Sequence, residues 1–240
     1  MQTKEADKKA VVCFSGGQDS TTALAMALKS YEAVYTIGFD YGQRHAAELE
    51  CRSRILADIE PLLGTRALGG DLLIDLSQYG RIAECALTRS EAIIFDDEKG
   101  LPNTFVPGRN LLFVTYAAAL AYRVGAHDII LGVSEQDYSG YPDCREESLE
   151  PLALSLSRGM EYPIRVVAPF MHCSKAHEWE LARETGGDAL VDFIVRQTHT
   201  CYTGEHSRLH TWGYGCGECP ACRLRAKGYE EYLKKLAKEP

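Results

Sequence analysis

Residues 15–20 read Ser-Gly-Gly-Gln-Asp-Ser, and they lie between a short apolar run and a segment with helical spacing. The two glycines lack Cβ atoms, so their backbone N–H groups can approach a phosphate group closely. The start of the helix directs its partial positive charge toward the same point. The serines, together with Thr21 and Thr22, add hydroxyl donors. The segment therefore predicts a phosphate-binding loop, with a tight turn that binds nothing as the structural alternative.

Asp19 is an unusual residue in an anion-binding loop unless a divalent cation binds there as well. ATP carries Mg²⁺, and carboxylate oxygens are ordinary ligands of that ion. We therefore predict that Asp19 holds Mg²⁺. The sequence contains no GxxxxGK[ST] pattern, and the loop is not GxGxxG, so neither of those phosphate-binding patterns is indicated.

A cysteine cluster lies near the C-terminal end, where Cys216, Cys219 and Cys222 are each separated by two residues. Tetrahedral zinc takes four thiolate or imidazole ligands, and a C-x2-C turn presents two sulfurs together. Cys201 is the preferred fourth ligand, and four cysteines would make a closed, structural site. The alternative fourth ligands are His199, His206 and His210. Free thiols and an iron–sulfur cluster are the other interpretations.

The chain has 240 residues, of which 45% are hydrophobic and 25% charged, a composition typical of a globular protein with a sizeable core. Its 26 basic and 34 acidic side chains give a formal net charge of −8, which opposes binding to DNA or RNA over a wide surface. There is no apolar run of about 18 residues and no secretory signal. We expect a cytoplasmic protein with no membrane partner, in which the nine cysteines are reduced thiols or metal ligands.

Short apolar runs alternate with segments of helical periodicity along the chain. Strands are predicted at residues 10–15, 33–39, 71–76, 128–134 and 164–170. Helices are predicted at residues 19–30, 45–63, 109–124, 148–158 and 175–184. The alternation is typical of an α/β fold with an open, mostly parallel sheet and helices on both faces. Such sheets bind ligands at the carboxyl ends of their strands, which is where residues 15–20 lie.

We divide the chain into a polar N-terminal tail at residues 1–9, a nucleotide- and substrate-binding domain at residues 10–190 and a zinc-binding subdomain at residues 191–240. Within the helix predicted at 45–63, the apolar spacing indicates one buried face. That face is expected to contain Leu49, Ile55, Leu56, Ile59, Leu62 and Leu63.

Six segments of the chain together resemble one enzyme family. They are FSGGQDSTTAL, FDYGQRH, NTFVPGRN, GVSEQDYSGYPDCR, SKAHEW and GCGECPACRLRAKGY. The first resembles the loop of the PP-loop, or N-type, ATP pyrophosphatases, which cleave ATP between its α- and β-phosphates. Taken together, the six are similar to the 7-cyano-7-deazaguanine synthases of the queuosine precursor pathway, over nearly the whole chain after about residue 10. The resemblance implies an adenine-nucleotide hydrolase-like fold and a homodimer.

The resemblance implies a ligase that uses 7-carboxy-7-deazaguanine, ATP with Mg²⁺, and ammonia. ATP would adenylate the carboxylate and release pyrophosphate, and ammonia would displace AMP to give the amide. A second ATP would adenylate the amide oxygen, and loss of AMP would leave the nitrile. Free ammonium is the expected nitrogen source, because the sequence contains no glutaminase domain.

The resemblance also implies roles for individual residues. The ATP cradle would consist of Phe14, Ser15, Gly16, Gly17, Gln18, Asp19, Ser20, Thr21, Thr22, Ala23 and Leu24. Asp19 would act through Mg²⁺, Arg109 by gripping a phosphate or the substrate carboxylate, and Lys175 by neutralising charge on pyrophosphate. The expected substrate-binding residues are Arg44, His45, Glu135, Asp137, Tyr138, Tyr141 and Asp143. The last five would supply acceptors and stacking faces to a guanine-like base.

Three alternatives stay open at this point. A PP-loop enzyme that adenylates a tRNA base would share the loop, although the acidic composition argues against a stable nucleic-acid partner. A zinc-ribbon binding module with a degenerate nucleotide site belongs to another class, and the intact loop argues against it. A variant that stops at the amide shares the first half of the mechanism.

Overall fold

The computed structural model describes residues 8–43, 47–83, 85–87, 95–96, 101–135 and 141–238. Four expected substrate contacts, Arg44, His45, Asp137 and Tyr138, lie outside these residues, as does most of the predicted tail at residues 1–9. Within the described part of the chain, no helix is both long and apolar enough to cross a membrane.

The elements alternate along the chain as predicted. The strands are β1 (Lys9–Cys13), β2 (Ala33–Asp40), β3 (Leu68–Asp75), β4 (Phe95–Asp96), β5 (Leu101–Pro102), β6 (Asp128–Leu131), β7 (Arg165–Val167), β8 (Leu209–His210) and β9 (Gly213–Tyr214). The helices are α1 (Gln18–Ser30), α2 (Ala47–Leu63), α3 (Ser77–Ile82), α4 (Arg109–Val124), α5 (Glu146–Gly159), α6 (Lys175–Gln197) and α7 (Pro220–Leu236), and a 3-10 turn covers Pro142–Cys144. Five strands form one sheet in the order β3-β2-β1-β6-β7, and all its pairs are parallel.

Helices cover both faces of this sheet, so the predicted fold class is confirmed. On one face, α1, α2, α6 and α7 pack around a core that includes Leu24, Ile55 and Trp179. On the other face, α4 and α5 contribute to a core that includes Val11 and Ile129. Central strands covered on both sides are almost wholly apolar, and residues 10–12 of β1 are accordingly fully buried.

Strand ends differ from their predicted positions because turns and pairing partners decide them. β7 has three residues rather than seven, since the chain turns after it with hydrogen bonds from Met171 N to Ala168 O and from Cys173 N to Phe170 O. β3 begins at Leu68, before the predicted residue 71, and runs through Gly69 and Gly70. Their local preference for a turn is overridden by pairing with β2.

Helix α6 is longer than its predicted range of 175–184. Gly186 and Gly187 leave the helical conformation, Gly187 with φ at +68°, and the chain then becomes helical again. Burial of Leu190 and Ile194 in the core explains why the second part forms. The domain boundary predicted at residue 190 falls inside α6, and the three-part division stays a prediction.

The buried face of α2 is partly different from the predicted one. Ile55, Ile59 and Leu63 are buried at spacings of four, but Leu62 is 36% exposed because it lies on the flank of that row. Arg52 is buried instead. Its guanidinium donates to Phe14 O and forms an ion pair with Asp71, so the buried charge is satisfied.

Candidate active site

The predicted phosphate loop connects β1 to the first turn of α1. Gly16 adopts φ +98°, and a Cβ atom there would lie 2.6 Å from Glu48 O, so glycine is required. The Ser20 hydroxyl accepts hydrogen bonds from Ser15 N and Gly16 N, each at 3.3 Å. These contacts fix the conformation of the turn.

Two side chains of this loop have polar atoms without a partner. Gln18 Nε2 and Asp19 Oδ1 are buried, and neither has a hydrogen-bond partner among the described residues. Both residues line a cavity. Unsatisfied polar atoms are costly in a folded protein unless a ligand or water completes them, so this pair indicates a binding site.

The rest of the predicted cradle lies behind the cavity surface. Thr21 Oγ1 donates to Gly17 O at 2.7 Å and Thr22 Oγ1 donates to Gln18 O at 3.1 Å, so both hydroxyls are used inside the helix. Ala23 and Leu24 are fully buried in the core. Of the predicted residues, the cavity wall contains Phe14, Ser15, Gly17, Gln18, Asp19 and Ser20.

Lys175 lies between two carboxylates beside the loop. Its ammonium donates to Asp19 Oδ2 at 2.7 Å and to both Glu178 oxygens at 3.1 Å. Burial alone would raise the pKa of Asp19, but the Lys175 charge holds it below its usual value. One ammonium and two carboxylates leave a net negative charge next to Asp19 Oδ1. That oxygen and that charge fit a divalent cation bound with a nucleotide.

The opposite end of the cavity is aromatic and carries a buried arginine. Arg109 is the first residue of α4, and its guanidinium lies 5.6 Å from the Tyr41 ring centroid and 5.5 Å from that of Tyr141. It also donates to Tyr41 Oη at 3.2 Å. The Tyr141 hydroxyl is hydrogen-bonded to Thr104 Oγ1 at 2.6 Å. The planar cation is therefore held in place before any ligand arrives.

Two expected substrate contacts have other partners. Asp143 accepts a hydrogen bond from Asn110 N at 2.8 Å and so anchors the first turn of α4 next to Arg109, although its Oδ1 is buried without a hydrogen-bond partner among the described residues. Glu135 accepts from Glu146 N at 2.9 Å at the start of α5. Neither belongs to the cavity wall, whereas Tyr141 does.

The cavity measures about 300 Å³ and joins the phosphate loop to the aromatic end. Its remaining wall includes residues from the strand ends and the C-terminal segment. They are Cys13, Phe39, Tyr41, Gln43, Glu48, Leu49, Leu87, Arg109, Asn110, Phe113, Leu131, Gly132, Val133, Ser134, Tyr141, Cys144, His199, Thr200, Cys201 and Tyr202. The volume is within the usual range for small-molecule sites.

The four predicted metal ligands come together. The sulfurs of Cys201, Cys216, Cys219 and Cys222 all lie within 4.8 Å of one another, with Cys216–Cys222 at 3.9 Å and Cys201–Cys219 at 4.0 Å. Tetrahedral zinc with Zn–S bonds of about 2.3 Å requires sulfur separations of about 3.8 Å. The cluster therefore fits zinc, and its fourth sulfur belongs to Cys201.

The cysteine cluster is connected directly to the phosphate loop. His199 N donates to Gly16 O at 3.3 Å, and Cys201 itself forms part of the cavity wall. Arg225, buried in α7, donates to Trp212 O at 2.8 Å, Thr200 Oγ1 at 2.8 Å and Ile194 O at 3.1 Å. The C-terminal segment thus closes one side of the cavity.

Comparisons with known proteins agree with this arrangement. The family model described as "Queuosine biosynthesis protein QueC" matches residues 9–233. The chain belongs to the QueC family. It is 54% identical over 236 residues to a 7-cyano-7-deazaguanine synthase of Paraburkholderia phymatum, with 97% of this chain and 96% of the relative covered. The protein of the same name from Nitrobacter winogradskyi is 52% identical, with 99% and 100% covered.

A solved structure shares the fold of this QueC-family chain. A 4-thiouridine synthetase in complex with RNA and bound ATP aligns with a TM-score of 0.50 at 18% identity, covering 94% of this chain and 53% of that one. The predicted family, enzyme class and fold are therefore confirmed.

Several wall residues were not assigned by sequence reasoning. Tyr41 and Phe113 line the aromatic end, Glu48 lies beside the loop, and Thr200 and Tyr202 lie next to a predicted metal ligand. Tyr41 does occur in the FDYGQRH segment and Tyr202 follows Cys201, but spacing alone does not show which strand ends and loops face one cavity.

Proposed function

We propose that this protein converts 7-carboxy-7-deazaguanine and ammonia to 7-cyano-7-deazaguanine, consuming two ATP and releasing AMP and pyrophosphate. One observation carries the proposal: a single cavity joins the unsatisfied phosphate-loop atoms of Gln18 and Asp19 to an aromatic end that contains Arg109. A nucleotide and a planar carboxylate substrate require these two kinds of surface side by side. The curated relatives that bear this enzyme name support the choice of substrate.

At the phosphate-loop end, the α1 N-terminus and the glycine N–H groups bind the phosphates. Asp19 Oδ1 would hold Mg²⁺, which supplies charge neutralisation to the phosphates when it is bound. Lys175 is within 2.7 Å of Asp19 and adds a fixed positive charge for the departing pyrophosphate. Attack of the substrate oxygen on the α-phosphorus forms the P–O bond of the adenylate and expels pyrophosphate.

At the aromatic end, Arg109 grips the substrate carboxylate, and its position between two tyrosine rings keeps its donors aimed in one direction. The Tyr41 and Tyr141 side chains and Phe113 offer apolar faces to a flat deazapurine. Asp143, Arg44, His45, Glu135, Asp137 and Tyr138 stay predicted contacts to the substrate or the nucleotide.

Zinc in the cysteine cluster has a structural role in this proposal. The thiolates of Cys201, Cys216, Cys219 and Cys222 would hold it as a complete set of four ligands, which leaves no position for a substrate. Its contribution is to hold residues 199–202 against the phosphate loop.

The proposal includes a cytoplasmic homodimer that uses free ammonia and has no stable nucleic-acid partner. A tRNA-adenylating activity is the second candidate, because the solved structure that shares the fold contains RNA and ATP. The formal charge of −8 argues against it.

A turnover assay tests the function. Purified protein is mixed with Mg²⁺-ATP, ammonium and 7-carboxy-7-deazaguanine, and products are followed by mass spectrometry. Nitrile with two AMP per turnover is the expected result. Amide alone would show an enzyme that lacks the second activation. No AMP at all would reject the substrate, and tRNA would then be tested.

A further inference from the structure

A carboxylate that no role above uses lies where the two halves of the cavity meet. Glu48, in the first turn of α2, lines the cavity. Its Oε1 is 3.5 Å from the position that a Cβ atom on Gly17 would occupy, so it lies directly over the phosphate loop. Its side chain is hydrogen-bonded to Ser15 and lies within the electrostatic influence of Arg109 at the aromatic end.

The proposed reaction must remove protons from nitrogen. When ammonia attacks the acyl-adenylate, a C–N bond forms and the nitrogen must lose a proton before the C–O bond to AMP breaks. In the second half, the adenylated amide loses two N–H protons as its C–O bond breaks and the nitrile forms. A positioned base typically accelerates such steps by about 10²–10⁴-fold.

Other basic groups of the described cavity wall are occupied. Asp19 is in an ion pair with Lys175 at 2.7 Å. The two ring nitrogens of His199 are bonded to Cys201 O at 3.0 Å and to His206 Nδ1 at 3.1 Å. Glu48 forms no ion pair with any residue that the structure describes, and a hydroxyl contact leaves its carboxylate able to accept a proton.

We propose that Glu48 is the general base that accepts these protons, a role that rests on the function proposed above. Each proton passes from nitrogen to the Glu48 carboxylate and then to water, so the residue is free again before the next transfer. The AMP oxygen takes the electron pair of the broken C–O bond. No oxidant or reductant is involved, and both ATP molecules are already part of the reaction.

The surroundings of Glu48 suit this task. Burial raises its pKa above the usual value for glutamate, against the lowering effects of Ser15 and Arg109, while Asp19 adds a smaller raising effect. A higher pKa makes a carboxylate a stronger base near neutral pH. Among the residues that the structure describes, Tyr41 and Cys51 also interact electrostatically with it.

Measuring adenylation separately from amide and nitrile formation distinguishes a general base from a residue that binds ATP or a metal. Adenylation of the acid needs no proton removal, so pyrophosphate–ATP exchange without ammonium measures it alone. Glu48→Gln, which keeps the side chain's shape, should retain exchange within about threefold of wild type. Its amide and nitrile formation should fall about 10²-fold or more. The exposed Glu50→Gln on the same helix is the matched control and should leave both rates unchanged.

Three results would overturn the role. If Glu48→Gln loses exchange and amide formation equally and needs more Mg²⁺, Glu48 is a metal ligand rather than a base. If Glu48→Gln forms amide at the wild-type rate, Glu48 takes no part in the proton transfers. If Glu48→Gln has a lowered melting temperature, Glu48→Asp, which keeps the carboxylate, is the deciding variant. The proposal is contradicted if Glu48→Asp is folded and forms amide no faster than Glu48→Gln does. Absence of AMP from the wild type would instead reject the underlying function.

Discussion

The two ends of the cavity are built in different ways. At the phosphate-loop end, wall residues 14–20 are nearly consecutive, and backbone groups, hydroxyls and one ion pair fix the surface. At the aromatic end, Tyr41, Arg109 and Tyr141 come from three distant parts of the chain and are held by ring contacts. The surface of the first end thus depends on local backbone geometry and charge, whereas that of the second depends on how aromatic rings from distant segments pack around Arg109. We therefore expect substitutions at the first end to reduce the reaction rate most, and substitutions at the second end to reduce it by amounts that depend on how much of the ring packing is lost.

The largest effect is expected from Asp19→Asn. This change keeps the size of the side chain but removes the charge that pairs with Lys175 and the proposed metal-binding oxygen. We expect AMP formation to fall by about 10³-fold, since a single lost charge-stabilising group typically costs about 10²–10³ in rate. The melting temperature, measured in parallel, should show a folded protein. Full activity with an unchanged Mg²⁺ dependence would contradict the role of Asp19.

The next largest effect is expected from Arg109→Lys at the other end. Lysine keeps the charge but loses the planar fork and its stacking between the tyrosine rings. We expect kcat/KM for the carboxylate substrate to fall about 10²-fold, roughly 2.7 kcal/mol. KM for ATP should change little. Arg123→Lys, at an exposed position in the last turn of the same helix, is the control; a similar loss there would remove the special role of Arg109.

A smaller effect on rate and a larger one on stability are expected from Cys219→Ser. Loss of one thiolate should release the metal, because binding energy at such sites is coupled to folding. A loss of about 3 kcal/mol in the free energy of unfolding would lower the melting temperature by about 10 °C, and loosening of residues 199–202 should reduce the rate of nitrile formation about tenfold. Zinc content by atomic spectroscopy checks this. Cys173→Ser, outside the cluster, should keep one zinc per chain; zinc retained by Cys219→Ser would exclude Cys219 as a ligand.

The smallest effect is expected from Tyr141→Phe. The ring that faces Arg109 is kept, and the hydrogen bond between the Tyr141 hydroxyl and Thr104 is lost. Such a bond contributes about 1 kcal/mol, so KM for the substrate should rise about fivefold with kcat nearly unchanged. Tyr122→Phe, whose side chain is exposed, serves as the comparison. A fall of kcat by two orders of magnitude would show that the Tyr141 hydroxyl takes part in the chemistry.

The fold was largely predictable because apolar runs and helical spacing are local signals. Helix α4 begins and ends at the predicted residues, since Gly108 and Gly125 bound it in left-handed conformations. The misses have tertiary causes. Leu62 was expected to be buried but lies on the flank of the buried row, and Arg52 is buried because Phe14 O and Asp71, both distant in sequence, satisfy its charge. β3 extends through two glycines because β2 pairs with it.

The sequence by itself determined the phosphate loop, the four-cysteine cluster and the parallel α/β fold. Each depends on residue types at short spacing, and the physics of a glycine turn or a C-x2-C turn is contained within a few residues. Only the tertiary structure decided that His199, Thr200 and Cys201 close the cavity beside Gly16, and that Glu48 lies between the loop and Arg109. These contacts join segments far apart in the chain, so packing of α2 and α6 against α1, and of α7 against α6, is what creates them.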